Sequence, residues 1–194
     1  HLDALFTRGE LVDLAELHRG IYAIKHAPVE LLPALWSDNF DRLGRTLRKA
    51  SSATFRAALD EAAEPVIALI ERDPDLAIFQ ILRQDASANT QYGLNHSIHT
   101  AIVSRLVAQR LGWDDDGMTR AFKAALTMNI SMLELQGELA QQFRPVSDEQ
   151  REAIRAHPAF SVRMLELSGV TDREWLRAVA EHHETPDGMG YPLG

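Results

Sequence analysis

Apolar residues recur at intervals of three and four positions over most of the chain, which is the spacing of one face of an α-helix. The pattern is clear near the start of the chain, at Leu14, Leu17 and Ile21, and it returns in the second half at Ile98 and Ile102. No segment shows the apolar–polar alternation of a half-buried strand. The pattern therefore predicts an all-α protein, folded as a multi-helix bundle.

Capping and helix-breaking residues divide this pattern into segments. Beyond the first, helices are expected at about 38–50, 54–71, 94–111, 119–142, 148–167 and 172–184, with another beginning at Asp73-Pro74. Ser147 and Gln150 have the spacing of an N-terminal capping box, and so do Thr171 and Glu174. Segment 119–142 is strongly apolar in its middle, which predicts a single central core helix.

A polar stretch at residues 87–93 interrupts the helical pattern and is interpreted as a connector. It suggests two units. Residues 1–90 are expected to form a helical N-terminal extension, and residues 91–194 carry the sequence motifs described below.

The overall charge excludes some classes of partner. The formal net charge is -8, from 28 acidic and 20 basic residues, so the chain lacks the basic surface that nucleic acids and anionic membranes require. There are no cysteines, which excludes disulfides and thiolate metal sites. Because no apolar run approaches the roughly 20 residues of a membrane span, the expected location is the cytoplasm. The chain opens on His1 instead of a methionine, and it is interpreted as a piece of a longer protein.

A short basic stripe lies within the predicted helix 38–50, at Arg42, Arg45, Arg48 and Lys49. Asp38 and Asp41 precede Arg42 and Arg45 by four positions, where opposite charges on a helix face one another. The favoured interpretation is a solvated face held by these two ion pairs. A site for a phosphate group or a partner is the alternative.

Histidines are concentrated in the second half of the chain, at His96, His99, His157, His182 and His183. Imidazole is the commonest neutral metal ligand, and side chains from separate helices can meet inside a bundle. Isolated histidines such as His18, His26 and His99 favour a structural role. For the adjacent pair His182-His183, spacing alone leaves a metal site and a structural role equally open.

Three segments of the second half resemble the motifs of one family. They are Asn-His-Ser-Ile-His-Thr-Ala at 95–101, Arg-Ala-His-Pro at 155–158, and Glu-His-His-Glu-Thr-Pro-Asp-Gly-Met-Gly-Tyr-Pro at 181–192. The last is similar almost letter for letter to the HHE…DGxGYP signature of the bacterial HD-GYP family, and the three follow one another in that family's order. The chain therefore resembles an HD-GYP domain over about 100 residues.

The resemblance implies a fold and a chemistry. HD-GYP domains are a branch of the all-α HD metal-dependent phosphohydrolases, and active members hydrolyse cyclic di-GMP with a cluster of two or three metals, often iron or manganese. The ligand positions fall on His96, His157, His182 and His183. The loop beside the site, which is expected to contact substrate or partner, falls on Gly188, Gly190, Tyr191 and Pro192. The chain ends just after this loop, before the helices in which active members carry another aspartate ligand.

The defining His-Asp pair of the family is missing. The aligned segment at 125–132 has Met128 in place of the histidine, Asn129 in place of the aspartate and Met132 in place of a lysine. A neutral amide cannot offset the repulsion between two cations, and a thioether is a poor ligand for iron or manganese. Met128 and Met132 also suit apolar packing. The sequence therefore predicts a repacked core with no intact catalytic residue.

These observations favour a degenerate HD-GYP signalling module. It would bind a partner protein, such as a diguanylate cyclase domain, or cyclic di-GMP, without efficient hydrolysis. The alternatives are a metal-dependent phosphodiesterase of reduced or altered activity and a purely structural scaffold. Absence of metal is the favoured expectation; one divalent ion (Fe, Mn or Zn) held by His157, His182 and His183 is the alternative, since three imidazoles suffice for a single site.

Overall fold

The computed structural model describes residues 8–83 and 91–194, with the side chains of the first helix described from Leu17 onward. This part of the chain is helical and contains no strand, so the predicted all-α fold is confirmed. The helices are α1 (Arg8–His26), α2 (Leu32–Leu47), α3 (Phe55–Arg72), α4 (Pro74–Leu82), α5 (Tyr92–Arg110), α6 (Asp115–Thr127), α7 (Leu133–Gln141), α8 (Asp148–Leu167) and α9 (Arg173–Glu181). A 3₁₀ turn at Val29–Leu31 precedes α2. Most of the predicted connector, residues 87–90, lies outside the described residues.

The two predicted capping boxes have different outcomes. At the start of α8, the Ser147 side chain accepts from the amide of Gln150 while the Gln150 side chain accepts from the amide of Ser147, as predicted. The prediction of a capping box at Thr171 is wrong. Asp172 caps α9 instead, because one of its carboxylate oxygens accepts from two backbone amides, at 3.0 Å each.

The prediction of one central helix over 119–142 is also wrong. Helix α6 ends at Thr127, residues 128–132 form a turn, and α7 begins at Leu133. In this turn the amide and the hydroxyl of Ser131 contact the Ser161 hydroxyl, at 3.3 and 2.9 Å. The chain therefore bends towards α8 at Met128-Asn129, where the resemblance described above leads one to expect a His-Asp pair.

The basic stripe on α2 is not held by the predicted ion pairs. Among the described residues, Asp38 and Asp41 make no ion pair with Arg42 or Arg45. Arg42 contacts Glu61 on α3 instead, at 3.4 Å. The prediction that ion pairs with Asp38 and Asp41 hold this face is therefore wrong.

One buried core runs through the helices on both sides of the predicted boundary at residue 90. Trp36 and Phe55 from the first part belong to the same core as Phe122 and Leu126 from the second. Two ion pairs also join the parts: Arg105, which is buried, contacts Glu71, and Lys123 contacts Asp60. The boundary itself stays a prediction.

None of the described helices combines the length and the apolar character that a membrane crossing requires.

Candidate metal centre

Three of the predicted ligand residues meet at one point, where α8 and α9 pack together. His157 lies within α8, and His182 and His183 directly follow α9. One ring nitrogen from each of the three lies within 4.8 Å of the other two. The ring centres of His182 and His183 are 4.3 Å apart, and each lies about 5 Å from that of His157. In the described part of the chain, this is the one group of histidine or carboxylate donors with such spacing.

The orientation of His157 follows from the proline after it. Pro158 has no amide hydrogen, so the carbonyl of Ile154, four residues earlier in α8, lacks its helical donor. Nδ1 of His157 is hydrogen-bonded to that carbonyl. The ring is therefore fixed with Nδ1 as donor and Nε2 directed at the cluster. The His-Pro sequence thus has a structural reason in this helix.

His182 is oriented by the end of α9. The last carbonyls of a helix have no intrahelical donor, and Nδ1 of His182 donates to one of them, the carbonyl of Val179, at 2.8 Å. The helix itself is anchored by Trp175, whose indole Nε1 donates to Thr127 Oγ1 at 2.9 Å in the buried core. The end of α6 therefore determines where His182 lies.

The glycine-rich loop folds back onto His183. The Tyr191 ring stacks on the His183 ring with centres 4.4 Å apart and planes 16° apart, and the Tyr191 amide donates to the His183 carbonyl. Gly190 makes this approach possible, because a Cβ atom there would lie 2.5 Å from the Cα atom of Glu184. Gly188 has a positive φ of 71°, which favours glycine. The loop holds His183 in place as well as bordering the site.

Burial keeps these imidazoles neutral. The pKa of His182 is lowered to about 4, first by burial and then by the charges of neighbouring histidines. Burial also lowers the pKa of His157 and of His183. With Nδ1 protonated and donating, the neutral ring of His157 carries a lone pair on Nε2, and so does that of His182. These two Nε2 atoms are 3.0 Å apart.

A cation fits this donor set. Two nitrogen lone pairs at 3.0 Å repel one another unless a proton or a metal ion lies between them, and the lowered pKa values disfavour the proton. Metal-bound histidines usually donate their second ring nitrogen to a carbonyl, as His157 and His182 do here. The cluster is therefore chemically suited to hold a metal ion.

His96, the fourth predicted ligand, does not join the cluster. It lies on α5, its ring stacks on that of Tyr92 with centres 6.0 Å apart, and it is not among the three residues whose donor atoms lie within 4.8 Å. Its charge makes the smallest of the contributions that lower the pKa of His182.

The turn at 128–132 lies beside the cluster. Ser131 Oγ donates to the carbonyl of His157 at 2.9 Å, which fixes the turn beside that ligand. Met128 lines the same cavity of about 640 Å³ as His182, between α5, α6 and α9. Asn129 is 4% exposed and Met132 is also buried. Met128 packs against the hydrophobic core as predicted, although it does so from a turn and not from a helix.

Residues 80–194, more than half of the chain, match the HD domain family. The chain belongs to the HD domain family. The match makes it an HD-superfamily phosphohydrolase domain, a class that is typically metal-dependent, and the histidine cluster supplies suitable donors. No solved structure matches the chain.

Two curated proteins resemble this HD domain. The cyclic di-GMP phosphodiesterase PdeB of Borreliella burgdorferi is 27% identical over 108 residues, which cover 56% of this chain and 28% of that protein. The 3'3'-cGAMP-specific phosphodiesterase 3 of Vibrio cholerae is 29% identical over 108 residues, which cover 55% of this chain and 23% of that protein. The HD domain therefore spans about a quarter of the length of these relatives.

Sequence reasoning missed the residues that hold the ligands of this HD domain. Pro158, Trp175 and Ser131 each act through a hydrogen bond that only the packed structure reveals. Pro158 had a readable signal, since a proline inside a helix always frees a carbonyl four residues earlier. Trp175 and Ser131 had none, because their partners are 48 and 26 residues away in the chain.

Proposed function

We propose that this HD domain is a degenerate HD-GYP module that binds one divalent metal ion and a cyclic dinucleotide without hydrolysing it efficiently. The observation that carries the proposal is the pair of Nε2 atoms of His157 and His182, 3.0 Å apart and both held by backbone carbonyls. Both curated relatives are named for phosphodiesterase activity on cyclic dinucleotides, which supports this ligand class.

In this proposal, the histidines bind the ion and the glycine-rich loop borders the ligand. His157, His182 and His183 would hold the ion, and their neutral rings leave its positive charge uncompensated. A divalent ion there would supply that charge and an open coordination position to a phosphate oxygen of the ligand. Tyr191 keeps the ring of His183 in place, and the loop at 188–192 borders the ligand.

Efficient hydrolysis needs a group that the turn at 128–132 lacks. A dinuclear centre requires a bridging carboxylate to offset the repulsion between its ions, and Asn129 offers only a neutral amide oxygen. Met128 adds a soft thioether where the family has an imidazole. A single ion can still bind and polarise a phosphate group, which is why a phosphodiesterase of reduced activity is the second candidate function.

A protein partner is a further possibility within this proposal. The glycine-rich loop exposes two large apolar side chains, Met189 and Leu193, at 83% and 73%. A protein partner, such as the diguanylate cyclase domain expected from the resemblance, would bury them. Cyclic dinucleotide binding is favoured, since the histidine cluster lies beside the same loop.

The decisive experiment compares His182→Ala with His18→Ala. The purified proteins are loaded with Mn²⁺ or Zn²⁺ and dialysed, metal content is measured by elemental analysis, and cyclic di-GMP binding and hydrolysis are then followed. We expect about one ion per chain in the parent and in His18→Ala, whose histidine is exposed on α1. His182→Ala should bind metal about 100-fold more weakly and therefore lose it on dialysis, because one of three ligands is lost.

Three results would contradict the proposal. Absence of bound metal in the parent protein would remove its basis. Cyclic di-GMP binding that persists unchanged in His182→Ala would separate the ligand from the cluster. Rapid hydrolysis by the parent would instead establish the second candidate, an active phosphodiesterase.

A further inference from the structure

A cavity of about 570 Å³ between α2, α4 and α5 shares no lining residue with the histidine cluster. Arg45 and Arg48 of α2 line it together with Arg83, which directly follows α4. Asp41 is the one carboxylate among its described lining residues, so guanidinium groups outnumber carboxylates three to one. On a chain with net charge -8, this is a local excess of positive charge in a concave surface.

These three arginines are not neutralised by the fold. Within the described ranges 17–83 and 91–194, no carboxylate lies within ion-pair distance of any of them. Other basic residues nearby behave differently, since Arg42 contacts Glu61 and Lys123 contacts Asp60. Like charges that line one cavity without partners repel one another, and a bound anion would relieve that repulsion.

Arg48 is exposed, and its guanidinium lies back along α2 beside Gly44, towards α5. Gly44 is buried, and a Cβ atom placed on it would lie 3.9 Å from Nη1 of Arg48 and 3.7 Å from Cδ1 of Leu94. The guanidinium therefore lies close to the α2 backbone and to the α5 side of the cavity. A planar guanidinium in this position suits a phosphate oxygen pair, which it can bind with two parallel hydrogen bonds.

The remaining walls have the mixed character of a small-molecule site. Half-buried Phe40 contributes apolar surface, and the core residues Leu94 and Ile98 lie beneath the cavity floor. The amides of Gln80, Gln91 and Asn95 contribute donors and acceptors that can pair with the edge of a base. Inorganic phosphate would use only the arginines, whereas a nucleotide would use all three kinds of wall.

We propose that this cavity binds a small organic phosphate of nucleotide size, with its phosphate against Arg45, Arg48 and Arg83. The site is separate from the metal centre, and its ligand does not depend on a metal ion. The stripe on α2 thus has the second of the two roles that its sequence left open.

The test is calorimetric titration of the protein with GMP in the presence of a chelator, with guanosine as the matched ligand that lacks phosphate. We expect GMP to bind and guanosine to bind at least about tenfold more weakly, because guanosine cannot pair with the arginines. Arg48→Gln and Arg83→Gln should each weaken GMP binding about tenfold. Arg163→Gln, at an exposed arginine of α8, should leave it unchanged.

Further outcomes decide between this site and the histidine cluster. GMP binding that survives in His182→Ala supports the proposal, since that variant removes a ligand of the other site. Binding that is lost in His182→Ala would assign the signal to the histidine cluster and overturn the proposal. Absence of GMP binding, equal binding of guanosine, or an equal effect of Arg163→Gln would also overturn it.

Discussion

The histidine cluster and the turn beside it are both fixed by hydrogen bonds, but they present different chemical groups. On one side, α8 and α9 fix His157 and His182 through backbone carbonyls, and Tyr191 stacks on His183. On the other, the turn at 128–132 is fixed beside His157 by Ser131, yet it presents Met128 and Asn129. In the proposed function, the scaffold of a two-sided site is retained although ligands are present on only one side, because helix packing constrains the backbone and not the metal-binding groups.

The largest expected effect comes from restoring the missing side. Met128→His combined with Asn129→Asp returns an imidazole and a carboxylate to the turn. We expect bound metal to rise from about one to about two ions per chain, and hydrolysis of cyclic di-GMP to increase about 100-fold, since a second ion can activate the attacking water. Elemental analysis and chromatographic separation of the products measure both.

The single substitutions serve as matched controls for the restored pair. Each returns only one ligand, so neither Met128→His nor Asn129→Asp alone should reach the double variant. If the double variant held no more metal than the parent, the turn and the histidines would not face a common site, and the comparison between the two sides would fail.

The fold and the cluster were predicted from different kinds of signal. Helical periodicity indicated the all-α class, whereas the resemblance to the HD-GYP motifs gave His157, His182 and His183 as ligands of one site, and the structure brings these three together. The break between α6 and α7 could not be predicted in this way. The apolar run over 119–142 continues through it, and the turn depends on the contacts of Ser131 with α8, which belong to tertiary structure.

The same reasoning explains the error at the basic stripe. The spacing of Asp38 and Asp41 from the arginines is favourable in an isolated helix, but such exposed pairs contribute only about 0.3–0.5 kcal/mol. In the folded protein, Arg42 contacts the Glu61 carboxylate of α3. Arg45 instead lines the cavity between α2, α4 and α5. A weak local interaction was therefore a poor guide to the final arrangement.

The intact side can be disturbed through the loop without removing a ligand. Gly190→Ala places a Cβ atom 2.5 Å from both the Cα atom of Glu184 and the carbonyl oxygen of His183, and backbone atoms cannot move aside as a side chain can. The loop must shift, and Tyr191 then loses its stacking contact with His183. We expect metal affinity to fall about 10-fold to 100-fold, the range for loss of a residue that orients a ligand.

Gly20→Ala is the matched control, because a Cβ atom at this exposed position of α1 meets nothing within 4 Å. Metal affinity from calorimetry should separate the two variants, while circular dichroism should show similar helix content in both. Equal metal affinity in Gly190→Ala and the parent would mean that the loop does not position His183.

The smallest expected effect is a pH dependence of stability that comes from the intact side. Burial lowers the pKa of His182 from 6.5 in the unfolded chain to about 4 in the folded protein. Between these values the unfolded chain binds a proton that the folded protein does not, so unfolding takes up protons and stability falls as the pH falls. The contribution is complete above pH 6.5 and is lost by about pH 4. After allowance for the partial exposure of the ring, it amounts to about 2 kcal/mol.

Denaturant unfolding of the metal-free protein at several pH values between about 7 and 5 measures this slope. His182→Gln should flatten it, because the variant has no titrating ring at this position, and the pKa values of His157 and His183 are lowered in the same direction and would account for the slope that is left. Bound metal should steepen the loss at low pH, since protons then compete with the ion for the same nitrogens. A stability that stays constant over this range in the metal-free parent would show that the three rings are not held neutral. The Nε2 atoms of His157 and His182 would then not present two facing lone pairs to a metal ion.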